Sequence, residues 1–149
     1  LLWKVIYEVE DGYYTDAVRA GPRLTLYPGE FIPRLDVARD LPWLDPDSQQ
    51  ARDLERFAWF SRGFLAIDPD NPLRVTDMRY SLVPNEATGM WSIWFDRDAK
   101  KTDHVMITPD RDTSGPRRAK FAQMLRNEIL RQKPGPRPMY PGIDVDTQP

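Results

Sequence analysis

The chain has no cysteine and a single histidine, His104, so chemistry that depends on those side chains has little to work with. A disulfide framework is excluded, although the lack of thiols fits a reducing cytosol and a bacterial periplasm equally. A hydrolytic metal site needs several His, Cys or carboxylate ligands held together, and here it has to be built from Asp and Glu. No apolar run approaches the roughly 20 residues that span a bilayer, and no basic-then-apolar leader is present. Nor is there a strong charge of one sign. The 21 Lys and Arg against 23 Asp and Glu leave a net charge of −2, which gives no field to attract phosphate backbones, so nucleic acid is not an expected partner. Gly-x-Ser-x-Gly, Walker, dinucleotide and His-Glu-x-x-His motifs are all missing.

What is present is the material of one globular domain. With 149 residues the chain is long enough to bury a core without disulfides, and five Trp, six Tyr and six Phe supply large packing units. Leu1, Trp3, Val5, Tyr7 and Val9 alternate with Leu2, Lys4, Ile6 and Glu8, which predicts a strand with one richly apolar face. Asp11-Gly12 turns that strand into a hairpin, and a third short strand is expected over 23–27. Residues 30–46 contain three prolines and no sustained period, so they read as a connection with a short turn at 35–39.

Asp47 or Ser48 can cap a helix in which Leu54, Phe57, Ala58 and Ser61 share a face, ending at Gly63. A second hairpin is expected from 64–67 and 73–80 around Asp68-Pro69-Asp70-Asn71-Pro72, followed by a strand over 90–95. Pro116 suits the first turn of a second helix, striped by Phe121, Met124, Leu125 and Ile129 and expected to end near Gln132. These elements predict an α+β domain over 1–132, a largely antiparallel sheet with two main helices packed on it. The remaining 133–149, with five prolines and two glycines, read as a flexible tail.

Three groups of residues invite a functional reading. Asp77 and Arg79 alternate with Val75 on one strand face, so they are expected to pair with each other, with Arg62, or with backbone near the helix end. Trp59, Trp91 and Trp94 form a candidate aromatic cluster, with core packing as the competing explanation. His104 sits between a charged turn and Val105-Met106-Ile107 and reads as a lone surface histidine, with nothing in the sequence to support general-base work by it. Asp68-Pro69-Asp70 begins like a calcium loop, but Leu73 stands where glycine is needed and Arg79 where the bidentate acid belongs. No metal ligands are assigned.

The opening Leu-Trp-Lys-Val with Asp-Gly-Tyr-Tyr, the central Trp59-Phe60-Ser61-Arg62-Gly63-Phe64, and Val75-Thr76-Asp77-Met78-Arg79-Tyr80 occur in an order that carries a resemblance. Over most of 1–95 the chain resembles the soluble C-terminal part of the bacterial membrane-bound metal-dependent hydrolase family. Met78-Arg79-Tyr80-Ser81 stands where that family has Leu-Arg-Met-Gly or similar. The resemblance implies an extramembrane domain of a bacterial inner-membrane protein, with cytoplasmic exposure expected and with the family's His-containing motifs in a preceding membrane bundle. Because the chain opens at Leu1 inside an alternating segment, it is expected to be cut from a longer polypeptide. No catalytic residue carries over to this part. The expected function is therefore an accessory, regulatory or partner-binding domain that is not catalytic on its own. Its partner would be its own N-terminal membrane segment, and a homo-oligomer is the structural alternative. No cofactor is expected in this domain, whereas a divalent metal fits the full-length protein. An enzymatic alternative has Asp77 or Glu86 completing a metal-dependent hydrolase site with that membrane segment.

Overall fold

A computed structural model describes residues 1–22, 24–109 and 114–126. The chain has the expected α+β architecture, but its strands are divided between two antiparallel four-stranded sheets rather than gathered into one.

The first sheet begins with the hairpin of β1 (Leu2–Val9) and β2 (Gly12–Arg19), paired along their full length from Leu2↔Arg19 to Val9↔Gly12. Two short strands share the other side of β2: β3 (Thr25–Tyr27) pairs with its end and β4 (Phe31–Pro33) with its start. The 30–46 connection is thus partly regular, containing β4 and a one-turn helix α1 (Val37–Asp40) whose amides Ala38 and Arg39 donate to Asp36. Nothing in its residue pattern announced β4, because three residues are too few to show a period of two.

Helix α2 (Gln49–Phe60) starts where Ser48 Oγ accepts the Ala51 N–H at 3.2 Å. It ends as Arg62 and Gly63 enter the left-handed region, at φ 54° and 78°. Leu54 and Phe57 pack onto the second sheet against Leu65, Val75, Ile93 and Phe95. That sheet runs in simple order through β5 (Leu65–Asp68), β6 (Asn71–Asp77), β7 (Trp91–Trp94) and β8 (Met106–Pro109). The Gln50 amide clamps the chain beyond β7, donating to the Asp96 carbonyl at 2.8 Å and accepting the Asp96 N–H at 2.9 Å.

The sheets meet through Ile6 and Ile32 of the first and Ala66 and Met78 of the second. Helix α3 (Gly115–Arg126) covers Ala17, Tyr27 and Val83 with Met124, which among the described residues is the one stripe position that is fully buried. Ile129, the expected helix end near Gln132 and the proposed tail lie outside the described residues, as does Arg23 of the expected third strand.

The first sheet has an unexpected polarity. Its inward face carries Tyr13, Thr15, Ala17, Tyr27 and Ile32, all buried, and β1 contributes Leu2, Lys4 and Ile6 to that side. The richly apolar face of β1 therefore points outward, leaving Leu1 74% and Trp3 55% exposed. The register extends this outward face in rows: Leu1 beside Ala20; Trp3, Val18 and Leu26; and Tyr7, Tyr14 and Phe31, whose ring centroids follow one another at 5.6 and 5.3 Å. The buried Asp16 carboxylate on the same face accepts from Tyr7 Oη and the Gly29 N–H.

Helix α2 gives a direct check on this packing. Phe57→Ala should cost about 3–5 kcal/mol by opening a cavity. Trp59→Ala should change stability by less than about 0.5 kcal/mol, because the side chain is 85% exposed. Urea denaturation of the two variants measures both.

Candidate functional site

Asp77 closes β6 with its side chain fully buried, a position that a carboxylate tolerates only with strong compensation. Arg79 supplies it from just beyond the strand. Its Nη2 lies 2.7 Å from Asp77 Oδ2, its Nε 3.0 Å from Oδ1, and its backbone N–H donates to Oδ1 at 3.0 Å. The paired carboxylate raises the Arg79 pKa further above its ordinary value. The guanidinium is flanked by the rings of Phe60, at the end of α2, and Tyr80, at 5.1 and 5.2 Å. Met78 N–H donates to the Phe64 carbonyl, so the chain leaving α2 and the end of β6 are joined at this point. Gly89 lies against the same corner, where a Cβ would come within 2.2 Å of the Asp77 carbonyl oxygen.

Arg62 does not join this pair. It closes α2 in the left-handed conformation with its side chain exposed, and among the described residues it makes no ion pair. The three tryptophans do not form a cluster either. Trp59 projects from the exposed side of α2, whereas Trp91 and Trp94 stand three positions apart on β7 and so face opposite ways. Trp94 instead packs under Arg74 at 5.3 Å and donates its Nε1–H to Thr108 Oγ1.

Lys4, which drew no attention in the sequence, lies on the inward face opposite Ala17. Its Nζ donates to Ser81 Oγ at 3.0 Å and to the Glu86 carbonyl at 3.3 Å. Burial lowers its pKa to about 8, a shift that the nearby Asp77 and Glu86 carboxylates partly oppose. The available signal was parity: once the face of Trp3 is outward, Lys4 must be inward.

Several other acids pair with bases. Glu86 takes Lys120 at 2.8 Å and Arg117 at 3.5 Å from α3, and Asp68 takes Arg74 at 2.9 Å. His104 has a partner after all, its Nδ1 lying 2.8 Å from Asp53 Oδ2. Burial pushes the Asp53 carboxyl up, but hydrogen bonds from Gln49, His104 and the Val105 N–H outweigh this and hold it below its usual range. Among the described residues no three His, Cys, Asp or Glu side chains gather where a metal could be held. A groove of about 490 Å³ opens between β4 and the β5–β6 hairpin, lined in part by Glu30, Asp68, Arg74 and Arg117. Comparison with family models, curated proteins and solved structures returns no match.

Two outcomes follow from this corner. Asp77→Ala should destabilise the domain by about 3 kcal/mol or more in urea unfolding, whereas a loss below about 1 kcal/mol would contradict the pairing. The depressed Lys4 pKa means that the unfolded chain binds this proton more tightly than the fold does. The Lys4 contribution to stability therefore rises with pH between about 8 and the ordinary 10.5. Comparing thermal melts of wild type and Lys4→Met from pH 7 to 10 should show that rise in the wild type and its absence in the variant.

Proposed function

We propose that this is a partner-binding accessory domain, not catalytic on its own, of a bacterial inner-membrane hydrolase-like protein. The observation that carries the reading is the outward apolar face of the first sheet. Leu1, Trp3, Leu26 and Phe31 are all exposed there, on adjoining rows of one surface. Contiguous apolar surface of this kind, set beside buried polar residues on the opposite face, marks a place where another surface docks. A sheet that served only its own core would have turned Trp3 and Val5 inward and Lys4 outward.

The pairing of Asp77 with Arg79, Glu86 with Lys120, Asp68 with Arg74 and Asp53 with Arg56 supports the same reading, since each of these acids already has a cationic neighbour. The membrane identity rests on the sequence resemblance, and the partner it designates is the chain's own membrane segment. No helix among the described residues is long and apolar enough to cross a membrane.

The absence of cysteine makes the test direct. Trp3→Cys and, as an exposed control in the β5–β6 turn, Asp70→Cys would each be placed in the isolated domain and in the full-length membrane protein cleared of other cysteines. Maleimide should label both sites at similar rates in the isolated domain. In the membrane-embedded protein Trp3→Cys should react at least about tenfold more slowly than Asp70→Cys, and equal rates there would overturn the proposal.

A further inference from the structure

The strand that carries the apolar face is also the open edge of its sheet, since among the described residues β1 pairs with β2 alone. The direction of its free hydrogen-bonding groups is fixed by its first residue. Leu1 N donates to the Ala20 carbonyl at 2.8 Å, and Ala20 N–H donates back to the Leu1 carbonyl at 2.7 Å. In an antiparallel ladder such reciprocal pairs alternate, so Trp3, Val5, Tyr7 and Val9 bond toward β2. The backbone groups of Leu2, Lys4, Ile6 and Glu8 consequently point to the open edge. This edge is eight residues long, has no proline and keeps an unbroken register with β2; of the usual devices that stop edge strands from pairing it carries the inward-turned Lys4, whose ammonium is engaged within its own chain.

We propose that the β1 edge pairs with β1 of a second copy of this chain, antiparallel, with Ile6 on the two-fold axis. This deepens the partner-binding reading and rests on it, because the two apolar faces then lie side by side as one continuous platform. Symmetry requires the same patch to complement itself, and the β1 sequence does so in this register. Lys4 falls opposite Glu8 of the second copy, Ile6 opposite Ile6, Val5 opposite Tyr7 and Trp3 opposite Val9. Trp3, Val5, Ile6, Tyr7 and Val9 each meet an apolar residue, Leu2 falls opposite Glu10 beyond the strand end, and the Lys4 stem lies beside Glu8 of the second copy while its ammonium stays on Ser81 and the Glu86 carbonyl. The outward-pointing groups of Lys4, Ile6 and Glu8 supply the ladder bonds. Moving the axis to Val5 would set each Lys4 against Ile6 on the buried face, and moving it to Lys4 would set the two lysines against each other.

Sedimentation equilibrium of the domain should give about twice the 17.4 kDa of one chain at high concentration. Glu8→Lys, which within the domain removes only a half-exposed ion pair with Arg34, should weaken the dimer at least about tenfold while the monomer still folds by circular dichroism. The register is tested by oxidation: an equimolar mixture of Val5→Cys and Tyr7→Cys should form a disulfide-linked heterodimer, while neither variant alone should link to itself. A monomeric mass at all concentrations, no effect of Glu8→Lys, or self-linking of Val5→Cys would each overturn the proposal. A monomer in solution together with protected Trp3→Cys in the membrane protein would remove the second copy and leave the partner-binding reading standing. A dimer without that protection would do the reverse.

Discussion

A carboxylate that has lost all contact with water must be compensated from within the protein, and Asp77 is where this chain meets that demand. Three donors from Arg79 converge on it, and the guanidinium that provides two of them is held between the rings of Phe60 and Tyr80. The arrangement ties the end of α2 to the end of β6 and fixes where the chain turns back toward β7. Lys4 approaches the same corner from the first sheet, through Ser81 and Glu86, so both sheets and the helix end depend on one buried polar junction. The Asp77–Arg79 pair is local to its own segment, whereas the Lys4 contacts span the two sheets, so a different docking of the sheets would leave the Lys4 ammonium without Ser81 and the Glu86 carbonyl.

The inward course of Lys4 has a consequence on the far side of β1. Strand side chains alternate, so bringing Lys4 to the polar corner sends Trp3 and Val5 outward. The exposed apolar face and the buried lysine are two results of a single register choice. Small and hydroxylic residues on β2, Thr15 and Ala17, make room for that lysine, while the surface left outside is the one suited to a partner. Stability at the junction and availability for binding are coupled in this fold.

Much of the architecture was legible in the residues. The β1–β2 hairpin around Asp11-Gly12, the Ser48 cap, the Leu54 and Phe57 face of α2, its stop at Gly63 and the β5–β6 hairpin all follow from local pattern and turn chemistry. The pairing of Asp77 with Arg79 was among the arrangements expected, although Arg79 lies past the strand and reaches back to it. Less visible were features set by tertiary contact. Hydropathy alternation shows that β1 has two unlike faces, yet it does not say which is inward, since that depends on what β2, β4 and the 81–86 segment present to it. Trp59 stands exposed because α2 has only one face against the sheet, and Trp91 and Trp94 are kept apart by their odd spacing on β7. His104 gained a partner, Asp53, from a helix distant in sequence, which no local motif could signal.

The register of β1 is the claim on which the junction, the outward face and the open edge all rest, and residue-resolved amide hydrogen exchange reads it directly. In dilute solution the amides of Trp3, Val5, Tyr7 and Val9 should be protected by their bonds to β2, while those of Lys4, Ile6 and Glu8 exchange rapidly. On concentrating the protein, Lys4, Ile6 and Glu8 should gain protection as the edge is covered. Protection of Lys4, Ile6 and Glu8 in place of Trp3, Val5 and Tyr7 in dilute solution would contradict the account at its base.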